Sequence, residues 1–232
     1  MQKPVRAENP SDVANRFGPS FYGGRTQPEL DERVQLGKFL EAAAHTELVK
    51  YPLEVTHVRN QRPDFKLVLG KTQVGVEVTK VANEELESAR SLQRKKHLGT
   101  LSITPFLSKP DSATSRRQRV SSGFTTPAVL FPNEVADEDS FWLEKALEIV
   151  ERKSIHLCQS DYGRGEENWL LLWDRLSSAE ADLRRRIAQL ENALWMKWKG
   201  TFFSRLIVEQ AQFSCFAILS SHGTTWLPDS VQ

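Results

Sequence analysis

Cysteine pairs, histidine clusters and long apolar runs are missing from this sequence, and each absence argues against a class of protein. Its two cysteines, Cys158 and Cys215, lack CxxC spacing, which argues against a zinc site and a disulfide scaffold. Five scattered histidines form no HExxH or zinc-finger pattern. No eighteen apolar residues run together, and the first residues lack a signal-peptide core, so we expect a cytoplasmic protein without membrane contact.

Charge is also nearly balanced, with a net charge of +1 and a pI of about 7.8. Any surface for nucleic acid must therefore be local. Between residues 90 and 119, eight basic residues face one acid, Asp111. We expect this segment to follow a phosphate backbone, although an exposed basic helix and a loop would explain it as well. The candidate nucleic-acid-binding residues are Arg94, Lys95, Lys96, Arg116, Arg117 and Arg119.

The order of predicted elements indicates an α/β protein. Residues 1–25, rich in Pro and Gly, predict a flexible arm, and residues 26–232 a single domain. Capping-box spacing from Thr26 to Glu29 opens a helix that ends near Ala44. Strands are predicted at 53–58, 64–69, 73–81, 169–173, 206–209 and 215–219, and helices at 83–98, 140–157 and from 177. An irregular basic insertion fills about 99–139.

Two acids stand in the second and third predicted strands. Asp64 precedes an apolar alternation, and Glu77 interrupts another, so each carboxylate should project opposite its apolar neighbours. Carboxylates on adjacent strands can meet, and such a pair is usually held by a divalent cation, a base or water.

Pro63-Asp64, a gap of thirteen positions to Glu77, and Lys80 nearby resemble the signature of the PD-(D/E)XK nucleases, the restriction-endonuclease-like superfamily. The resemblance implies an αβββαβ core whose mixed central sheet is flanked by helices, here with C-terminal helix and strand additions. This chain departs from the pattern, since Thr79 stands where the family has its lysine. Lys80 points to the opposite strand face and needs a bulge to enter the site, so Lys66 and Lys153 remain alternatives.

The family's first helix often carries a further acid for the metal site. Glu32 heads a stripe with Leu36 and Phe39, while Glu41 lies on a neighbouring face, and the pattern cannot decide between them. We take Glu32 as the candidate.

The resemblance implies a Mg²⁺-dependent nuclease, favouring an endonuclease on DNA over RNA, with Mn²⁺ able to substitute. Asp64, Glu77 and Lys80 would be catalytic, and Asp64, Glu77 and Glu32 would hold the metal. The alternative is a catalytically inactive member of the fold that binds nucleic acid or supports assembly, which Thr79 favours. A C-terminal aromatic cluster that includes Trp195 and Phe203 is typical of a core or a subunit contact, which leaves a homodimer open.

Overall fold

The chain folds around one eight-stranded mixed sheet that carries helices on both faces. A computed structural model describes residues 3–19, 21–22, 26–58, 62–82, 87–89, 91–92, 132–159, 163, 165–174, 182–195, 203–210 and 215–227, apart from the side chains of 132–138, 195 and 210. Its elements are β1 (Val5–Ala7), α1 (Pro10–Phe17), α2 (Gln27–Ala43), β2 (Leu53–His57), β3 (Phe65–Leu69), β4 (Thr72–Val81), α3 (Pro132–Leu157), β5 (Glu167–Asp174), α4 (Leu183–Trp195), β6 (Arg205–Gln210), β7 (Cys215–Ser220) and β8 (Gly223–Leu227). Within these ranges, no helix combines the length and apolar character needed to cross a membrane.

The strands lie side by side in the order in which the chain makes them. Strands β1 to β4 pair antiparallel, β4, β5 and β6 pair parallel, and β6 to β8 pair antiparallel again. Parallel neighbours require a crossover connection, and the two parallel steps are those in which α3 and α4 intervene. The mixed sheet and its flanking helices confirm the predicted α/β class.

Two apolar cores sandwich the sheet. Helices α1 and α2 pack on one face against Val74, Val76 and Val78 of β4, while α3 and α4 pack on the other. Strand β5 supplies both cores, since Trp169, Leu171 and Trp173 belong to the first and Leu170 and Leu172 to the second. A strand covered on both faces reads as a continuous apolar run, which is the pattern that predicted it.

Helix α2 follows its sequence signals closely. The Thr26 hydroxyl accepts a hydrogen bond from the Glu29 amide at 3.4 Å, and Pro28 lies in the first turn, where a missing amide proton costs nothing. Leu36 and Leu40 are buried along one stripe of this helix. The stripe anchors α2 on the sheet and fixes the position of Glu32, one turn earlier.

The β3–β4 hairpin places the two strand acids opposite each other. Gly70 adopts a φ of 63° in its two-residue connection, a left-handed conformation that glycine adopts without strain. The antiparallel register pairs Phe65 with Val76, so the next step of the ladder sets Asp64 against Glu77. The thirteen-position spacing is therefore the spacing that a tight hairpin requires.

Three regions differ from the sequence predictions, and a fourth is largely outside the described residues. The expected loose arm, 1–25, contains β1 and α1, whose Val13 and Phe17 are buried; Asn9 caps α1 by accepting a bond from the Asp12 amide. The insertion expected to reach 139 ends sooner, because α3 begins at Pro132, a residue favoured in the first helical turn. Strand β8 extends the sheet beyond the last predicted strand. Most of the predicted helix 83–98 lies outside the described residues.

Candidate active site

The site begins at the hairpin end where β3 starts. One carboxylate oxygen of Asp64, Oδ2, accepts a hydrogen bond from the Val78 amide at 2.8 Å, which fixes the side chain across the β4 backbone. Glu77 is 1% exposed and lies between two valines that face the α2 side, so it points toward α3. Two carboxylates thus share the sheet face that α3 covers.

Lys153 of α3 meets Glu77. Its amino group contacts Oε2 of Glu77 in a short, largely buried ion pair, with 16% of the lysine side chain exposed. The second oxygen of Glu77, Oε1, is buried without a hydrogen-bond partner among the described residues. Glu77 therefore has one compensated oxygen and one that lacks a donor.

Glu32 of α2 reaches the same end of the sheet. Its Oε2 lies 3.8 Å from Nε2 of His57, the last residue of β2. His57 is buried and packs on Phe65, with ring centroids 5.0 Å apart. The aromatic contact anchors His57 beside the first residue of β3, which is the residue that follows Asp64.

Burial and mutual repulsion perturb these acids. Burial, followed by the charge of Glu77, raises the pKa of Asp64 to about 6, against a lowering by the Val78 amide and Lys153. Burial and the nearby Asp64 raise the pKa of Glu32 to about 7, with a further contribution from Glu77. Shifts of this kind mark acids that are close together and poorly hydrated, and they cluster at functional sites.

The site's donor set suits a divalent metal. As the side chains stand, the described residues contain no group of three or more His, Cys, Asp and Glu side chains that could hold an ion. The unpartnered oxygen of Glu77 and the raised pKa values of Asp64 and Glu32 nevertheless identify acids whose negative charge Lys153 compensates in part. Carboxylate oxygens are the ligands that Mg²⁺ prefers, so the residue types present match Mg²⁺ in their chemistry.

The structure separates the three lysines that the sequence left open. Lys80 is exposed and its amino group lies 3.7 Å from Glu87, with unbroken β4–β5 pairing and no bulge to turn it toward Glu77. Lys66 is an exposed residue of β3 whose side chain lies near Gly163, which precedes β5. A Cβ added at Gly163 would lie 3.1 Å from Lys66 Nζ. Among these three, Lys153 is the lysine that contacts a site carboxylate.

The rival helix acids also separate. Glu32 interacts electrostatically with Asp64 and Glu77, whereas Glu41 is exposed and raises the pKa of Tyr22, after burial of that side chain. Glu32 is thus the α2 acid that belongs to the site. The proposed nucleic-acid-binding residues lie outside the described residues; they are Arg94, Lys95, Lys96, Arg116, Arg117 and Arg119.

Two histidines of this region, His57 and His156, belong to no metal-binding motif, so the sequence motifs did not indicate them. His57 continues the inward alternation of Leu53 and Val55, so strand parity alone could have placed it on the α2 face beside Phe65. His156 follows Lys153 by three positions on α3, the spacing of neighbours on one helix face. Parity and helical spacing were the usable signals, once the site was known.

No protein-family model, curated protein or solved structure matches this chain.

Proposed function

We propose that this protein hydrolyses phosphodiester bonds of nucleic acid in a metal-dependent reaction, as an endonuclease that favours DNA over RNA. The observation that carries the proposal is the meeting of Glu32, Asp64, Glu77 and Lys153 at one end of the β3–β4 hairpin. They come from three separate parts of the fold: α2, the hairpin and α3. Buried carboxylates with an ammonium group are the parts that phosphodiester hydrolysis needs.

The topology supports a restriction-endonuclease-like core. Elements α2, β2, β3, β4, α3 and β5 follow the αβββαβ order, with β2, β3 and β4 antiparallel and β5 added in parallel. Asp64 immediately precedes the second strand of this core and Glu77 lies on the third, in keeping with the resemblance in the sequence. The remaining helix and strands, α4 to β8, extend the sheet beyond that core.

Each of these residues has a distinct role in the proposed reaction. Asp64, Glu77 and Glu32 would hold Mg²⁺, or Mn²⁺ in its place. When bound, the ion would polarise the scissile phosphate and lower the pKa of an attacking water. Lys153 donates hydrogen bonds and places a positive charge beside Glu77, where the negative charge of the transition state would develop. The Val78 amide keeps Asp64 oriented throughout.

Lys153 takes the place of the lysine missing from β4. Thr79 occupies the strand position on the same face as Glu77, and it is half-buried. An ammonium group from α3 can reach Glu77 from across the core because α3 packs on that face of the sheet. In this protein the positive charge would therefore come from α3 instead of β4, and it would still lie beside Glu77.

The second candidate is a catalytically inactive member of the fold that binds nucleic acid or supports assembly. Thr79 in place of the strand lysine favours it, as does the lack of a closed ligand set among the described residues. Metal-dependent cleavage distinguishes the two, because an inactive module would bind nucleic acid without cutting it.

The test is incubation with Mg²⁺ or Mn²⁺ and a panel of linear, circular, single-stranded and RNA substrates. We expect cleavage by the wild-type protein, no cleavage in EDTA, and loss of cleavage in Asp64→Asn and Glu77→Gln. Lys71→Ala is a matched surface control, since Lys71 lies at the far end of the hairpin from Asp64. Undiminished cleavage by the pure Asp64→Asn protein would refute the site.

A further inference from the structure

Two exposed cations and a histidine lie close to the carboxylates at this end of the hairpin. Arg62 is exposed two residues before Asp64, and its Nη1 donates to Oε1 of Gln159 at 3.4 Å. Its carbonyl oxygen accepts a hydrogen bond from the Gly163 amide at 3.2 Å. The residue is therefore held by both its main chain and its side chain against the segment that follows α3.

Lys66 belongs to the same group of side chains. It shares a strand face with Asp64, and its ammonium group lies against Gly163, as does the Arg62 carbonyl. A Cβ at Gly163 would meet Lys66 Nζ at 3.1 Å and the Arg62 oxygen at 3.4 Å. Glycine at this position lets the loop, the lysine and the arginine backbone come together.

His156 completes the group from α3. Its Nδ1 is buried and has no hydrogen-bond partner among the described residues. Burial and the charges of Arg62 and Lys153 lower the pKa of His156, which indicates that both cations are near the ring. A neutral imidazole has one N–H group, and the ring nitrogen that carries this proton can donate a hydrogen bond to an incoming oxygen.

We propose that Arg62, Lys66 and His156 bind a phosphate adjacent to the scissile one and so position the nucleic-acid backbone over the carboxylates. The proposal rests on the proposed function for the identity of the scissile phosphate. Buried acids beside exposed bases suit a ligand whose phosphates are anionic and whose reacting phosphate also requires a cation. The group is separate from the basic insertion predicted at about 99–139.

Arginine and lysine have complementary uses at such a position. The planar guanidinium of Arg62 can donate two parallel hydrogen bonds to one phosphate, whereas the ammonium of Lys66 acts as a compact charge. The Gln159 contact limits the rotamers of Arg62, so less side-chain entropy is lost on binding. These residues are positioning residues, and they bind substrate in the ground state and the transition state alike.

The test measures anisotropy of a labelled duplex and its single strand with Ca²⁺ across a salt series, followed by cleavage kinetics with Mg²⁺. Arg62→Ala and Lys66→Ala should each weaken binding about tenfold and lower the salt slope by about one, because one phosphate contact is lost. His156→Ala should weaken binding without changing the slope, since a neutral imidazole releases no counterion. Each variant should raise KM while kcat stays unchanged, whereas Lys153→Ala should lower kcat.

Controls separate failure of this proposal from failure of the proposed function. Lys71→Ala removes a charge of the same kind from the far end of the hairpin and should bind as the wild type does. Arg62→Lys keeps the charge and loses the fork, so it should bind with intermediate affinity even where Arg62→Ala melts early. Unchanged binding in Arg62→Ala, Lys66→Ala and His156→Ala, beside a wild type that binds and cleaves, overturns the positioning role alone. Weakened binding without any cleavage overturns the nuclease function alone, and a wild type that binds no nucleic acid overturns both.

Discussion

Lys153 and Glu77 form a buried ion pair although 76 positions separate them in the chain. Glu77 comes from the central part of the sheet and Lys153 from the helix that crosses over it. A buried pair of this kind is costly to break, because the remaining charge is left without compensation. The pair therefore ties α3 to β4 at the point where we place the chemistry.

Replacing this lysine tests its part in catalysis. Lys153→Ala should lower kcat by about 10²–10³-fold, since one charge-stabilising donor is removed from the transition state. Lys80→Ala, at an exposed lysine near Glu87, should keep full activity. The measurement is single-turnover cleavage of a labelled duplex. Equal activity in Lys153→Ala and wild type would remove Lys153 from the mechanism.

The two helix acids offer a matched pair. Glu32→Gln should reduce cleavage at least tenfold and weaken Mn²⁺ binding, because a ligand carboxylate is lost. Glu41→Gln, on the exposed side of the same helix, should change neither. Isothermal titration with Mn²⁺ gives the affinity. If both variants bind Mn²⁺ equally well, Glu32 is not a ligand.

Without metal, stability should fall as pH rises through the acidic range. The folded-state pKa values of Asp64 and Glu32, about 6 and about 7, lie above their ordinary values. The folded state thus binds more protons than the unfolded chain between about pH 4 and 7, and the free energy of unfolding decreases across this window. Urea unfolding in EDTA at a series of pH values measures the decrease.

Asp64→Asn should flatten that pH dependence. The amide oxygen can still accept the Val78 hydrogen bond, while the repulsion of Glu77 is removed. We expect the variant to exceed the wild type by roughly 1–3 kcal/mol at pH 8 and to match it near pH 4. Glu47→Gln, at an exposed position, is the control and should leave the wild-type curve unchanged. A wild-type curve that stays flat from pH 4 to 7 would contradict the charge repulsion.

Metal should reverse this destabilisation. Excess Mg²⁺ or Mn²⁺ binds the folded state and should stabilise it by about 2.7 kcal/mol at a hundredfold excess over Kd. The corresponding rise in Tm should disappear in Asp64→Asn and in Glu77→Gln. Thermal melts with and without EDTA provide the measurement. A rise of the same size in these variants would locate the metal elsewhere.

A second group of buried ion pairs lies on the side of the sheet that α3 and α4 cover. Arg186 is fully buried between Asp139, at 2.5 Å, and Asp174, at 3.4 Å. Arg186→Ala should cost about 3–5 kcal/mol of unfolding free energy, because Asp139 and Asp174 both lose a buried cation, although Asp139 keeps its contact with Arg185. Arg185→Ala, whose side chain is half exposed, should cost at most about 1 kcal/mol. Urea unfolding compares the two, and similar costs would contradict the buried network.

Local patterns predicted the parts of the site that depend on local geometry. The spacing of Asp64 and Glu77 reflects a hairpin, and Thr26 marks the start of α2, so both were readable from neighbouring residues. Lys153 was one of three alternatives, because its place depends on how the α3 crossover packs. The Pro and Gly content of residues 1–25 does not predict β1 and α1, because Asn9 and Pro10 together open a helix that composition alone does not indicate.

The crossover through α3 also determines when the site can exist during synthesis. A nascent chain that ends before α3 already carries Glu32, Asp64 and Glu77, and it lacks both Lys153 and β5. Chain elongation adds residues in order, so the ammonium group arrives after the carboxylates have been made. Chains that end before α3 therefore contain the acids without this counter-charge, and the four groups come together after α3 has packed against β4.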